Sequence, residues 1–275
     1  MQSNQTSLAP ILIIAGSDSG GGAGIQADIK AVTALGGFAM TAISALTAQN
    51  TQGVQDVMDV PPNFVAKQIS AVLEDLGVKA IKTGMLPNIA VIEAVAETLD
   101  GLSEPLVVDP VMVASSGDRL LRDDAVAAMQ SCLIRQAGLV TPNMPETEVL
   151  TGRRVETLDD MKFAADWLMN AGAQAALVKG GHGQEAEVFD LLAEQSGFTV
   201  FENPRLQSQN THGTGCTLAS SIATGLGQGL TMTKAVEQAI AYVRKAISMA
   251  DPNLGQGKNK PLFHGWPLVD NTAEH

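Results

Sequence analysis

The chain has 275 residues and a mass of 28.6 kDa, a length at which folding buries roughly 70–75% of the unfolded surface, as one large α/β unit or as two small domains. Its net charge of −12, with no cluster of Lys and Arg, argues against nucleic acid and anionic membrane as partners and leaves a small-molecule ligand as the better fit. Hydrophobic residues make up 45% but aromatic residues only 4%, with 27 glycines, which points to an Ala/Val/Ile/Leu core and a parallel sheet between helices.

No basic residue precedes Lys30, and the apolar run Ile11 to Ile14 is too short for a signal-peptide core or a membrane span, so a cytoplasmic protein is expected. The two cysteines make no disulfide framework. Cys132 falls in the apolar frame of a helix with Met129 and Leu133 and reads as core, whereas a free thiol at Cys216 suits a reducing compartment.

Short β-like runs alternate with helical patterns along the chain. The strands expected are Pro10 to Ala15, Ala39 to Leu46, Lys79 to Thr83, Leu106 to Asp109, Leu139 to Thr141 and Ala175 to Lys179. Glu187 to Leu192 and Phe198 to Phe201 read as a hairpin around Ser196-Gly197. Helical stripes run through Leu158, Met161, Ala165 and Leu168, with a capping box at Thr157 and Asp160, and through Val236, Ile240, Val243 and Ile247. This alternation predicts a mainly parallel sheet covered on both faces, with ligands at the carboxyl ends of its strands. No repeat or linker divides the chain, so one domain with a core from about residue 10 to 250 is expected.

The first glycine-rich loop, Gly16 to Gly24, separates the first strand from a helix over Ile25 to Leu35. It lacks the spacing of a dinucleotide fingerprint, no acid ends the next strand, and no G-K-[ST] occurs anywhere, so a loop of close backbone approach remains, for a substrate or for a turn. In the helix that follows, Ile25, Ile29, Val32 and Leu35 define the buried face, and Asp28 falls about 300° round the wheel, inside that arc. A carboxylate aimed inward needs a partner, either a ligand or the amides of the loop.

Ala48-Gln49-Asn50 ends an apolar strand; a primary amide there matches the acceptor and donor edge of an aminopyrimidine, and is equally an ordinary turn. Met85 of Thr83-Gly84-Met85 packs on a ring or fills core space. Asp109, in Asp109-Pro110-Val111-Met112, lies at the end of a buried strand where a metal or phosphate contact is expected. Asn143 and Glu146 form a complete capping arrangement that needs no ligand, yet two acids at neighbouring strand ends also suit Mg²⁺ held through water and substrate oxygens. Lys179, in Lys179-Gly180-Gly181-His182, can neutralise nucleotide phosphates or stand in a surface turn. Four histidines without a paired cysteine or an H-E-x-x-H spacing make no zinc site. His212 four residues before Cys216 makes a weak case for a Cys/His hydrolase, because no third orienting residue is visible.

The densest signal is Thr211-His212-Gly213-Thr214-Gly215-Cys216, a glycine-spaced turn entering a helix over Leu218 to Leu226. Close-approach amides and a helix start are built to hold phosphate. A thiol in that first turn is expected to fall below its usual pKa, toward a proton acceptor for a transferring phosphoryl group.

In this order, G-S-D-S-G-G-G-A-G-I-Q-A-D, A-Q-N-T, T-G-M, D-P-V-M, T-P-N-M-P-E, K-G-G-H and T-H-G-T-G-C-T resemble the hydroxymethylpyrimidine/phosphomethylpyrimidine kinases of thiamine biosynthesis, within the wider ribokinase-like kinases. The resemblance implies an α/β domain with helices on both sheet faces, ATP and Mg²⁺ as cosubstrates, and a homodimer. It places Gln49 at the pyrimidine, with Gly16, Asp28, Met85 and Val111 lining the same pocket. It puts Asp109 and Glu146 at Mg²⁺, and Asn143 in the phosphate and metal network. Lys179 falls to the nucleotide, with Thr211, Gly213 and Thr214 at its phosphates, and Gly213 to Cys216 form the anion hole, Gly213, Gly215, Lys179 and Cys216 being catalytic. The implied reaction is phosphorylation of 4-amino-5-hydroxymethyl-2-methylpyrimidine and then of its monophosphate. The rival readings are a pyridoxal kinase, a pyrimidine-binding protein with a decayed site, and a nicotinamide-dependent oxidoreductase, the last weakened by the missing fingerprint.

Overall fold

The computed structural model describes residues 8–112, 123–181 and 186–270. Nine strands, β1 (Ala9–Asp18), β2 (Gly37–Asn50), β3 (Gly53–Asp59), β4 (Ala80–Thr83), β5 (Leu106–Val108), β6 (Leu139–Val140), β7 (Ala176–Lys179), β8 (Glu187–Glu194) and β9 (Gly197–Pro204), form one sheet. Their order is β3-β2-β1-β4-β5-β6-β7-β8-β9, parallel from β2 to β7 and antiparallel at both edges. The chain leaves β1 toward β2 and later returns to the other side of β1 as β4, so a switch point falls between β1 and β4. Loops diverge there and leave a crevice at the strands' carboxyl ends.

The helices are α1 (Gly24–Ala34), α2 (Pro62–Asp75), α3 (Ile89–Thr98), α4 (Asp123–Ala128), α5 (Met144–Thr151), α6 (Leu158–Asn170), α7 (Thr214–Gly227), α8 (Met232–Ser248) and α9 (Trp266–Asp270). β1 shows why they cover both faces. Ile11, Ile13 and Ala15 pack with Ile25 and Val32 of α1, Ile222 of α7 and Val236 of α8, while Leu12 and Ile14 pack with Ile69 of α2, Ile92 of α3 and Leu168 of α6. Side chains alternate across a strand, so an unbroken apolar run has two faces to bury, each large side chain worth roughly 1.5–3 kcal/mol.

The expected parallel core and its hairpin are present, with β8 and β9 reaching Glu194 and Gly197. Both capping boxes form, Asn143 with Glu146 and Thr157 with Asp160. β3, α2 and α3 were not anticipated. β3 is exposed along most of its length, so its sequence, GVQDVMD, carries no buried stripe to reveal it. Cys132 sits in a π-helical turn, Met129–Leu133, half-buried against the core on the α2/α3 face. No helix among the described residues is long and apolar enough to cross a membrane.

Candidate active site

Loops after the parallel strands enclose a cavity of about 750 Å³, within the range of small-molecule sites. Gly16, Gln49, Met85, Val111, Asp109, Asn143, Glu146, Lys179, Thr211, Gly213, Thr214, Gly215 and Cys216 all line it. His182, which ends the K-G-G-H run, lies outside the described residues.

Asp28 does not line it. The carboxylate points inward as the helical wheel requires, but beneath the cavity, where both its oxygens lie 3.0 Å from Nζ of Lys82 and Oδ1 accepts from Ser220 Oγ at 2.7 Å. Both side chains of this ion pair are fully buried. Burial works against both charges and raises Asp28, but at Lys82 the charges of Asp28, Cys216 and Asp109 together outweigh it and hold the ammonium above its usual range. The expectation that Asp28 serves a ligand or the loop amides is therefore corrected.

The loop amides go to Asp18 instead. Oδ1 accepts from Gly20 N at 2.8 Å, and Oδ2 from Gly22 N at 3.0 Å and Ala23 N at 2.8 Å. Burial opposes its charge, yet His212 and the Ala23 and Gly20 amides hold its carboxyl below the usual range. At Gly16, a Cβ would lie 3.0 Å from the Met85 sulfur, so the loop backbone and that side chain are in close contact. Thr47 Oγ1, 3.1 Å from Gln49 Oε1 and 2.9 Å from Ser17 O, orients the Gln49 amide.

Gly213 N-caps α7 in the left-handed region, φ +86°, and no side chain caps the helix. A Cβ on Gly213 would lie 1.9 Å from Gly22 O, so both conformation and contact demand glycine there. Thr217 fixes the turn from behind, donating Oγ1 to Gly213 O at 2.7 Å and meeting His264 Nε2 at 2.9 Å. Burial pushes His264 down to about 4, so its ring is neutral and donates to Thr217, while Tyr242 OH donates to His264 O.

Facing that turn, Asp109 Oδ1 accepts from Lys179 Nζ at 3.0 Å and from Thr141 Oγ1 at 3.1 Å. A Cβ on Gly215 would lie 3.3 Å from Lys179 Nζ and 3.7 Å from Asp109 Oδ2, which measures how closely the turn approaches the pair. Burial opposes the Lys179 charge, but Asp109 and Glu146 outweigh it and raise its pKa. Glu146 is pushed up to about 7 by burial, against the pull of Lys179 and with a push from Asp109. Its Oε2 accepts from Asn143 N at 2.8 Å, closing the capping box, and the Met112 amide also donates to its carboxylate.

The Cys216 thiol departs from expectation. Burial pushes it up to about 12, outweighing Lys82 and the Gly24 amide that donates to its sulfur. A helix start lowers a thiol most where the thiolate stays solvated, and here the thiol is half-buried in the cavity wall, where burial works the other way. Sequence reasoning also passed over Asp18, which gathers the amides of the first loop and meets His212, and Lys82, which ties β4 to α1 through Asp28. It read Ile240, Val243 and Ile247 as core alone, although they line the cavity beside Leu206, Arg205 and Arg244.

Comparison with known proteins agrees with this architecture. The chain is 48% identical over 259 residues to the hydroxymethylpyrimidine/phosphomethylpyrimidine kinase of Rhizobium meliloti, covering 93% of this chain and 97% of that protein. It is also 48% identical over 255 residues to a thiamine biosynthesis bifunctional protein of Geobacter sulfurreducens, covering 92% of this chain but only 52%, about half, of that longer relative. Among solved structures, a phosphomethylpyrimidine kinase from Clostridium difficile superposes with a TM-score of 0.78 at 40% identity, covering 87% of this chain and 99% of that one. The pyridoxal kinase of Bacillus subtilis, in its ADP complex, superposes at 0.86 with 31% identity over 94% of this chain and 98% of that one. These likenesses bear out the ribokinase-like fold expected from the motifs. A family model described as phosphomethylpyrimidine kinase matches residues 18–262, and the chain belongs to that family.

Proposed function

We propose that the chain transfers the γ-phosphoryl group of ATP to the hydroxymethyl oxygen of 4-amino-5-hydroxymethyl-2-methylpyrimidine, and then a second phosphoryl group to the monophosphate. The observation that carries this reading is the approach of Gly215, in the uncapped first turn of α7, to the Asp109–Lys179 pair, in one cavity with Gln49. Amides and a buried ammonium aimed at one point suit a phosphoryl group whose charge spreads over its oxygens during transfer.

In this reading Gln49 pairs with the aminopyrimidine edge, with Gly16, Met85 and Val111 around the ring. Thr211, Gly213, Thr214, Asn143 and Lys179 hold nucleotide phosphates, and the base lies against Leu206, Ile240, Val243 and Ile247. Catalysis is mainly positioning and charge stabilisation. Cys216 accepts the hydroxyl proton in the first transfer through its minor thiolate form; the second acceptor is already a phosphate and needs no strong base.

The donor set suits Mg²⁺ bound through water and phosphate. Asp109 has Oδ2 facing Gly215 and Glu146 lies beside it, while no group of three His, Cys, Asp or Glu forms a protein cage among the described residues. Asp109 and Glu146 would hold the ion, which supplies charge neutralisation at the phosphates. The chain is taken as one catalytic domain of a cytoplasmic homodimer, a state supported by the exposed Leu46, Val57, Met58 and Phe64 of β2, β3 and α2.

The high structural likeness to a pyridoxal kinase keeps that activity as the second reading. Coupled ADP release by purified protein, with either pyrimidine and with pyridoxal in parallel, tests both. The proposal requires kcat/KM for the pyrimidines to exceed that for pyridoxal, and the reverse order overturns it.

A further inference from the structure

Two loops 194 residues apart meet at one side-chain contact, His212 Nε2 to Asp18 Oδ2 at 3.0 Å. Both side chains are nearly buried, at 9% and 2% exposure. The backbones are equally close: a Cβ on Gly22 would lie 2.4 Å from His212 Cδ2, and one on Gly213 would lie 1.9 Å from Gly22 O. His212 is fixed from its other side by its own amide, which donates to Lys260 O at 3.0 Å. Asp18 gathers three loop amides besides His212, so its acceptor capacity is spent within the protein.

We infer that Asp18 and His212 are a positioning pair, docking the first glycine-rich loop onto the phosphate-binding turn so that the acceptor half of the cavity is held in register with the phosphoryl half. The inference rests on the kinase reading above. The loop carries Gly16 against Met85 at one end and donates the Gly24 amide to the Cys216 sulfur at the other. A shift of the loop against the turn therefore moves acceptor contacts relative to the group being transferred. Neither side chain needs to touch a substrate, because the pair acts through the backbone between Gly16 and Gly24. Transfer rates fall steeply with misplacement of about 1 Å, whereas binding of each substrate alone depends on its own half of the site.

Two variants at position 212 test this. His212→Leu removes the donor, and His212→Gln keeps one. In the first, kcat is expected to fall about 100-fold while KM for ATP and for the pyrimidine each changes less than about threefold; the second regains at least about tenfold of the loss. Hydrogen exchange without substrate provides a separate readout, the amides of residues 16–24 exchanging at least about tenfold faster in His212→Leu than in wild type and recovering in His212→Gln. A leucine variant of normal melting temperature with wild-type kcat, or with unchanged exchange over 16–24, overturns the inference. Should the leucine variant fail to fold, Asp18→Asn is read in its place, and unchanged kcat and exchange there overturn it equally. Wild-type protein without ADP release on any pyrimidine defeats the kinase reading, while exchange judges the pair independently.

Discussion

Lys179 Nζ lies 3.0 Å from Asp109 Oδ1, joining the ends of β7 and β5 across β6. The ammonium is thus positioned by a carboxylate, and in the kinase reading proposed above its second task is to share its charge with a phosphate. Replacing it with Met is expected to lower kcat/KM about 10²–10³-fold by removing a preorganised donor. It should also destabilise the fold by about 3–5 kcal/mol, since Asp109 is left buried without its cation. Steady-state kinetics and urea melts of Lys179→Met check both; full activity would remove Lys179 from the phosphate site.

Glu146 gives the stability curve a distinctive sign. Its folded value of about 7 exceeds its ordinary 4.5, so the native state holds the extra proton between them. The stabilisation is complete below about pH 4.5 and is lost as pH rises through 7, roughly 3 kcal/mol in all. Glu146→Gln should flatten that fall in melts between pH 5 and 8. It should also raise the Mg²⁺ concentration needed for half-maximal rate about tenfold. A variant with the wild-type slope would assign the titration elsewhere.

The Asp28–Lys82 pair predicts strong non-additivity. Lys82→Met leaves a buried carboxylate alone and should cost about 3–5 kcal/mol, whereas Lys82→Met combined with Asp28→Leu should recover most of it. Denaturant midpoints of the two singles and the double measure the coupling. Additive losses would mean that the pair is not an ionised unit.

A thiol near 12 is almost wholly protonated at neutral pH, and its thiolate fraction rises tenfold with each pH step up to that value. The first phosphorylation should therefore quicken with near-unit slope from about pH 7 to 9 in wild type, and lose that slope in Cys216→Ala. The second phosphorylation should depend less on both pH and the substitution. Equal losses in the two steps, or a flat wild-type profile for the first, would strip Cys216 of the proton-acceptor role.

What could be read from sequence was what short-range periodicity records. The run Ile11 to Ile14 announces a strand buried on both faces, and Asn143 with Glu146 or Thr157 with Asp160 announces a helix start within four residues. Most of the expected site residues line one cavity, because they lie at or just beyond recognisable strand ends or open a helix. What stayed hidden were partners. Asp28 was aimed inward correctly, but Lys82 stands 54 residues away inside a strand where a cation is unexpected. The acidity of Cys216 is hidden for the same reason: the local helix start argues for a low value, and partial burial beside segments distant in sequence pushes it up.

His264 braces Thr217, and Thr217 braces Gly213, so the first turn of α7 depends on a residue that lies beyond the last described strand. Asp18, His212 and every described strand precede that prop along the chain. Shortening the protein to residue 260 removes the prop and should abolish turnover before it abolishes the sheet.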